Sequence, residues 1–589
     1  MTYNKAKSIL KKFYGYNDFR PGQQKVVQSI LSGQDTVAIM PTGAGKSVCF
    51  QIPALLFSGV TLVVSPLISL MKDQVDSLRQ IGISAVYINS SVSRAELMEN
   101  LRGIAAGFYK IIYIAPERLT PEYLPDTFKN LNISMIAVDE AHCLSQWGHD
   151  FRPSYKNILT FMQSLPVKPL IGAFTATATP EVKEDIIKLL GLNNPNVFVT
   201  GFDRENLYFS VLRGENKDKF VVDYVKKHLT EAGIIYAGTR KDVDALQVLL
   251  GVKGIKAERY HAGMTDEERN KAQEKFLYDD VSVIVATNAF GMGIDKPNVR
   301  YVIHYNMPKN IEAYYQEAGR AGRDGLPGEC ILLYSPQDTQ LQKFLIGKSV
   351  ESEIRQQLEY KRLQSMVDYC HTPQCLRAFI LHYFGETDTK KTCDNCSNCK
   401  MDGELVDITI DAQKVLSCVY RVHERFGVKM VAEILKGSKN ARMKQFHFER
   451  LSTYALMKER TVKQISDLIL RLAAMQYVNI TESQYPVLQL NALSWQVLRG
   501  QKKVWQKVVT VKKSEIKNDL FEKLRLVRRE LAIKANLPPY MIFSDATLAQ
   551  MAQDKPSSVE EMSQIKGVGE FKLNKYGDDF LRVIKNFMS

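Results

Sequence analysis

Short runs of consecutive apolar residues alternate with helical stretches along the first 340 residues. In the first 200 they cover residues 36–40, 60–65, 110–115, 134–139 and 169–175. A strand that is apolar on successive positions is buried on both faces, as in a parallel sheet covered by helices. The pattern predicts an open α/β sheet with ligands at the carboxyl ends of its strands. It begins again at residues 207–212, 233–237, 281–287, 299–305 and 329–334, which gives a second α/β lobe. Beyond residue 340 the chain reads differently. Residues 412–476 are helix-rich, and residues 478–480 and 487–490 flank a polar turn as a small hairpin. Helices followed by a hairpin suit a winged helix, and also a protein-docking bundle. Residues 519–589 form a further helical unit with turns at Pro538-Pro539-Tyr540 and Lys566-Gly567-Val568-Gly569. The expected division is 1–203, 204–340, 341–404, 405–510 and 511–589.

The first apolar run leads into Met40-Pro41-Thr42-Gly43-Ala44-Gly45-Lys46-Ser47, with a helix expected from Val48. A strand, a glycine turn and a helix start make a phosphate cradle. Gly43 and Gly45 let the backbone approach phosphate oxygens, and the helix N-terminus points free N–H groups at them. Lys46 supplies charge for the outer phosphates and Ser47 a hydroxyl for Mg²⁺. Met40 stands where the strict phosphate-loop pattern has its first glycine. The run at 134–139 continues into Asp139-Glu140-Ala141-His142. Asp139 is suited to hold the Mg²⁺ water shell beside Ser47, and Glu140 to orient or deprotonate the attacking water. Paired acids after a strand also suit a helix start. Upstream, Phe19-Arg20-Pro21-Gly22-Gln23 offers a glutamine amide, with the donor and acceptor needed to read an adenine edge.

Directly after the acids comes Gln146-Trp147-Gly148-His149-Asp150-Phe151-Arg152-Pro153-Ser154-Tyr155. An aromatic loop with a cation is a stacking platform for unpaired bases, although large aromatics also pack under neighbours. Its adjacency to the acids favours a coupling role. The hydroxyls of residues 173–179 are suited to bridge the lobes or to cap a helix near Pro180. The second lobe has no lysine-bearing cradle. It carries residues 286–295 and then Gln316-Glu317-Ala318-Gly319-Arg320-Ala321-Gly322-Arg323. Arg320 and Arg323, three apart, are expected on one helix face, where they reach across a cleft to the γ-phosphoryl as arginine fingers do.

Composition narrows the class. A chain of 589 residues holds several domains, and 45% hydrophobic with 24% charged residues is ordinary for a soluble protein. No stretch approaches the ~20 apolar residues of a membrane span. The segment from Met1 to Gly15 has lysines but no long apolar run, so no secretory signal and a cytoplasmic location are expected. The net charge of +14 fits a polyanion partner, or solubility alone. Residues 501–518, with six lysines and one glutamate, read as a solvated linker. Five of the nine cysteines fall at 370–399, which in a cytoplasmic chain points to a metal. Cys393, Cys396 and Cys399 are spaced to converge on one Zn²⁺, and Cys370 and Cys375 are both candidates for the fourth ligand.

These motifs, in this order, resemble those of superfamily-two helicases. Residues 19–23, the Asp-Glu-Ala-His box and the aromatic loop resemble the RecQ family of DNA helicases, and the similarity extends through both lobes and the tail. The resemblance implies an α/β protein with two RecA-like parallel-sheet lobes, a zinc-binding helical module, a winged helix and a small all-helical C-terminal domain. It implies that Tyr16, Arg20 and Gln23 hold adenine. Thr42, Gly43, Ala44, Gly45, Lys46 and Ser47 would hold the phosphates of ATP, with Ser47 and Asp139 on Mg²⁺ and Glu140 acting on water. His142, with Trp147, His149, Phe151 and Arg152, would couple DNA sensing to hydrolysis, and Gln316, Arg320 and Arg323 would complete the site. The resemblance selects Cys375 to join Cys393, Cys396 and Cys399 in a closed, structural Zn²⁺ site. The implied activity is ATP-dependent 3′→5′ unwinding of DNA during recombination, repair or replication. Single-stranded and duplex DNA are the expected partners, with a single-strand-binding protein and other repair proteins as candidates, and a nucleoid-associated monomer is favoured. Two alternatives are an RNA helicase or non-separating translocase, and a zinc-containing DNA-binding regulator with a decayed ATPase core.

Overall fold

The computed structural model describes residues 3–120, 128, 131–145, 148, 150–291, 296–350, 352–400, 405–481, 483–507, 519–535 and 537–588. Among these, the first lobe is a parallel sheet of β1 (Thr36–Ile39), β2 (Val60–Val64), β3 (Ala85–Ile88), β4 (Ile111–Ile114), β5 (Ile133–Val138), β6 (Leu170–Thr175) and β7 (Asn196–Val199). The strand order is β3-β4-β2-β5-β6-β1-β7, and every pairing is parallel. The residues of β1 and β4 are buried throughout, as continuous apolar runs require. The mostly exposed β7 closes one edge.

The second lobe repeats the plan with β8 (Leu207–Arg213), β9 (Ala232–Tyr236), β10 (Ala257–Tyr260), β11 (Val283–Ala286), β12 (Val299–His304) and β13 (Gly328–Tyr334), ordered β10-β11-β9-β12-β13-β8. These pairings are also parallel. The phosphate cradle follows β1 and the acid pair follows β5. Both therefore stand at carboxyl ends of the first sheet, where open α/β sheets bind ligands.

The helices that matter to the site are α1 (Gln23–Leu31), α2 (Lys46–Leu56) and α3 (Ile311–Ala318). Helix α2 starts at Lys46, two residues before the expected Val48. Helix α3 ends at Ala318, so Arg320 and Arg323 do not share a helix face as expected. Gly322 is left-handed at φ +56°, and its N–H bonds the carbonyl of Val299, at the start of β12, at 2.8 Å instead of continuing the helix. The two arginines sit on consecutive turns that this cross-link folds against the sheet.

Past the lobes run α4 (Pro336–Ser349), α5 (Glu353–His371) and α6 (Leu376–Tyr383). Phe202, between β7 and β8, stacks on Phe384, just after α6, with centroids 4.5 Å apart, so one apolar core continues from the lobes into this module. The winged helix follows with α7 (Thr409–Arg421), α8 (Val428–Lys436) and α9 (Val462–Ala474). Its hairpin pairs Asn479–Ile480 antiparallel with Leu488–Gln489. The lysine-rich stretch at 508–518 lies outside the described residues. The C-terminal helical domain, between α10 (Asp519–Ala535) and α11 (Glu570–Met588), has its own core. It touches both lobes: Arg525 donates to the Thr230 carbonyl, and Gly569 packs on Gly15. No helix among the described residues is long and apolar enough to cross a membrane.

Candidate active site and zinc centre

The cradle is built by glycine geometry. Gly43 and Gly45 are both left-handed at φ +79°, and a Cβ on Gly45 would stand 2.5 Å from the Gln23 amide nitrogen. Met40, in place of the first glycine, is fully buried in the sheet's core, and its carbonyl accepts from Lys46 Nζ at 3.2 Å. The expected adenine segment leans on the same loop. Gln23 Nε2 donates to the carbonyls of Ala44 (2.8 Å) and Gly45 (3.2 Å), and its Oε1 accepts from the Arg20 N–H at 2.8 Å. Arg20 Nη1 donates to the Gly43 carbonyl. Tyr16 is half-buried at the edge of that core.

Lys46 faces the acids. Desolvation lowers its pKa, while Glu140 and Asp139 pull it back up. Asp139 is raised, chiefly by burial and then by Glu140. Its Oδ1 accepts from the Glu140 N–H at 3.0 Å, and its backbone carbonyl accepts from the Tyr155 hydroxyl at 2.8 Å. Glu140 is left-handed at φ +47°, an uncommon conformation for a side-chain-bearing residue and a strain that clusters at functional sites. Its buried Oε2 has no hydrogen-bond partner among the described residues and lies 3.3 Å from His142 Nδ1. His142 Nδ1 is also 2.8 Å from Thr175 Oγ1. Burial lowers the His142 pKa, which favours the neutral ring. Thr175 thus serves its own lobe rather than bridging to the second.

The second lobe closes on this set. Thr42 Oγ1 donates to the Gly319 carbonyl at 3.1 Å. Arg320 is buried beside the Tyr236 hydroxyl, its Nε has no hydrogen-bond partner among the described residues, and Glu140 is among the charges that act on it. Arg323 lies against the cradle, with its Cα 3.4 Å from where a Cβ on Gly43 would stand, and its charge lowers the Lys46 pKa. Gln316 is half-buried on α3. The orphaned Glu140 Oε2 and Arg320 Nε, beside the left-handed cradle, fit a magnesium triphosphate.

Of the proposed coupling residues, Trp147 and His149 lie outside the described residues. Phe151 is half-buried with the Arg355 guanidinium 5.5 Å from its ring centroid. Arg152 Nη1 donates to the Pro66 carbonyl at 2.9 Å, and its Nε pairs with Asp150 at 3.2 Å.

The sulfurs of Cys375, Cys393, Cys396 and Cys399 lie within 4.8 Å of one another. Tetrahedral Zn²⁺ with Zn–S near ~2.3 Å needs sulfurs about 4 Å apart, so this set fits the metal. Cys370 is buried within α5 and does not belong to the cluster. Cys375 is the N-cap of α6, and its Sγ accepts from the Ala378 N–H at 3.4 Å.

Family models match in sequence order along the chain: DEAD/DEAH box helicase at 20–186, helicase conserved C-terminal domain at 216–325, RecQ zinc-binding at 336–400, RQC domain at 402–515 and HRDC domain at 517–584. A Bacillus subtilis (strain 168) protein named ATP-dependent DNA helicase RecQ is 48% identical over 586 residues, covering 99% of each chain. The chain belongs to the RecQ family. A Pasteurella multocida protein of the same name is 39% identical, over 98% of this chain and 93% of its own. A structure of Mss116p bound to ssRNA and AMP-PNP aligns with TM-score 0.49 at 18% identity, over 76% of this chain and 92% of that one. The RecQ zinc-binding match encloses all four clustered cysteines.

Sequence reasoning about this RecQ-family chain gives no role to Arg204 or Tyr236. Arg204 sits in a charged stretch, Asp203-Arg204-Glu205, at the expected boundary between the lobes. Tyr155 was visible only as one more aromatic of the loop. Their roles depend on contacts distant in sequence.

Proposed function

We propose that this chain is a DNA-stimulated ATPase that unwinds duplex DNA, moving 3′→5′ along one strand, in recombination, repair or replication. The observation that carries the reading is the seam itself. Arg323 lies against the cradle within charge reach of Lys46, and Arg320 lies within charge reach of Glu140, so groups of both lobes meet beside the cradle. Bound MgATP supplies the phosphoanhydride whose hydrolysis drives the motion. Around it, the cradle N–H groups and Lys46 bind the phosphates, Ser47 and Asp139 hold Mg²⁺, and Arg20 and Gln23 orient the base beside Tyr16. Glu140 accepts the proton of the attacking water, with the neutral His142 ring beside it. Arg320 and Arg323 bring positive charge to the γ-phosphoryl, so closure of the lobes is tied to hydrolysis. Zn²⁺ fits a structural role, because four thiolates leave no open position. The 3′→5′ sense is supported by the family resemblance.

The test is unwinding of forked, 3′-tailed and 5′-tailed duplexes of DNA and RNA, with ATP and with a non-hydrolysable analogue. The expected result is separation of forked and 3′-tailed DNA with ATP alone. Absence of DNA-dependent ATP turnover would overturn the reading. Turnover without separation would favour the translocase.

A further inference from the structure

The guanidinium of Arg204 touches both halves of the seam. Its Nη1 donates to the Thr42 carbonyl in the cradle and reaches Gly319 O at 3.3 Å. Its Nη2 donates to the carbonyls of Ala321 (3.0 Å) and Gly322 (2.9 Å), on the turns that carry Arg320 and Arg323. Asn206 Nδ2 holds the same turn through Gly322 O at 2.9 Å and Leu326 O at 2.7 Å. We infer that Arg204 is a positioning residue for ATP hydrolysis, a clasp that sets the arginine-bearing turns against the phosphate cradle as the lobes close. This rests on the proposed ATPase reading.

The chemistry suits arginine alone. A planar fork with five N–H donors can serve carbonyls on two sides at once, whereas an ammonium offers three donors from one point. Burial lowers its pKa, and the nearby cations Arg323 and Arg20 lower it further. A further anion between the lobes therefore stabilises the cluster. The glycines agree with this. A Cβ on Gly319 would stand 2.1 Å from Thr42 Oγ1, and one on Gly322 would stand 2.4 Å from Asn206 Nδ2, so the turns approach the clasp only because both are glycine.

The backbone of the clasp is itself anchored. Arg377, on α6, donates to the carbonyls of Arg204 and Leu207, both at 2.6 Å. Asn395, between two cysteines of the zinc cluster, donates to Glu205 O at 2.9 Å and Leu207 O at 3.2 Å. The thiolate module thereby fixes the segment from which Arg204 reaches.

The experiment compares Arg204→Lys and Gly319→Ala with the parent, measuring affinity for ADP and for ADP–aluminium fluoride, DNA-stimulated turnover and cooperative thermal unfolding. A positioning role predicts ADP affinity within about threefold of the parent. The preference for the transition-state analogue and kcat should fall together by about a hundredfold, the scale of a misplacement near 1 Å. Equal weakening of both ligands, or parent-like discrimination, would overturn the assignment. If Arg204→Lys does not fold, Gly319→Ala decides it, because its added Cβ pushes on the same contact. A parent that never hydrolyses ATP would instead sink the functional reading.

Discussion

The Tyr155 hydroxyl donates to the backbone carbonyl of Asp139 over 2.8 Å, which ties the aromatic loop to the residue expected to hold Mg²⁺. Tyr155 is fully buried, so no water replaces it. Tyr155→Phe leaves that carbonyl without its donor and costs about 1–3 kcal/mol of stability. Loss of a group that supports a metal ligand also lowers turnover by about 10–100-fold. Urea unfolding and steady-state ATPase assays check both effects, with nucleotide KM expected to move little. Turnover equal to the parent's would mean the hydroxyl serves packing alone.

The parts legible in the sequence are those whose chemistry depends on local spacing. The cradle, the acid pair and three of the four cysteines are each contained in a few residues. The strands that announced themselves are the apolar ones. β7 is mostly exposed at the sheet edge, and β10 reads Ala257-Glu258-Arg259-Tyr260. Its charges are answered by Lys275 and Asp244 on neighbouring elements, which a pattern along one strand cannot reveal. A spacing of three resembles a helix, which hides the arginine turns in the sequence. The bond from Gly322 to Val299, which breaks it, joins distant positions. Arg204 and its acceptor Thr42 are 162 residues apart, and no local motif records such a pairing.

His371 gives the fold an acid-sensitive point. It is buried at the end of α5, its Nδ1 bonds Val367 O at 2.8 Å, and its Nε2 has no hydrogen-bond partner among the described residues. Burial drives its pKa from 6.5 down to about 3. The unfolded chain therefore takes up a proton below 6.5 that the folded chain refuses. The stability contributed by this depressed value is present above 6.5 and is lost as pH falls toward about 3. His371→Asn keeps a donor for Val367 and cannot titrate. Calorimetry should find its melting temperature gaining on the parent's as pH drops from 6.5 to 4.5. A difference constant across that range would contradict the assignment.

Zinc removal should be felt in the segment between β7 and β8. Phe202 N–H bonds Glu386, and Phe209 bridges to Cys396, so the segment around Arg204 is held from the module side. Cys396→Ser should bind less zinc by elemental analysis and melt earlier, because a structural zinc contributes folding free energy directly. Hydrogen exchange should quicken at residues 202–209 beyond the change elsewhere in the lobes. Zinc loss with parent-like protection there would break the proposed link between the module and the clasp.

Phe151 and Arg355 join the aromatic loop of the first lobe to α5, with the guanidinium 5.5 Å from the ring centroid. A part-exposed cation–π contact contributes about 0.5–1 kcal/mol. A base stacked on an aromatic side chain contributes about 1–3 kcal/mol. An incoming base therefore outcompetes Arg355 for the ring, and its arrival releases α5 from the loop that follows Glu140. On that argument Phe151→Ala weakens single-stranded DNA binding by about 5- to 150-fold and removes DNA stimulation of hydrolysis, while ATP affinity is kept. Arg355→Ala removes only the competitor, so DNA affinity should hold or rise. Fluorescence anisotropy with labelled oligonucleotides separates the two variants. If Phe151→Ala bound DNA like the parent, the ring would be packing for α5 and the coupling would have to run through another residue of the loop.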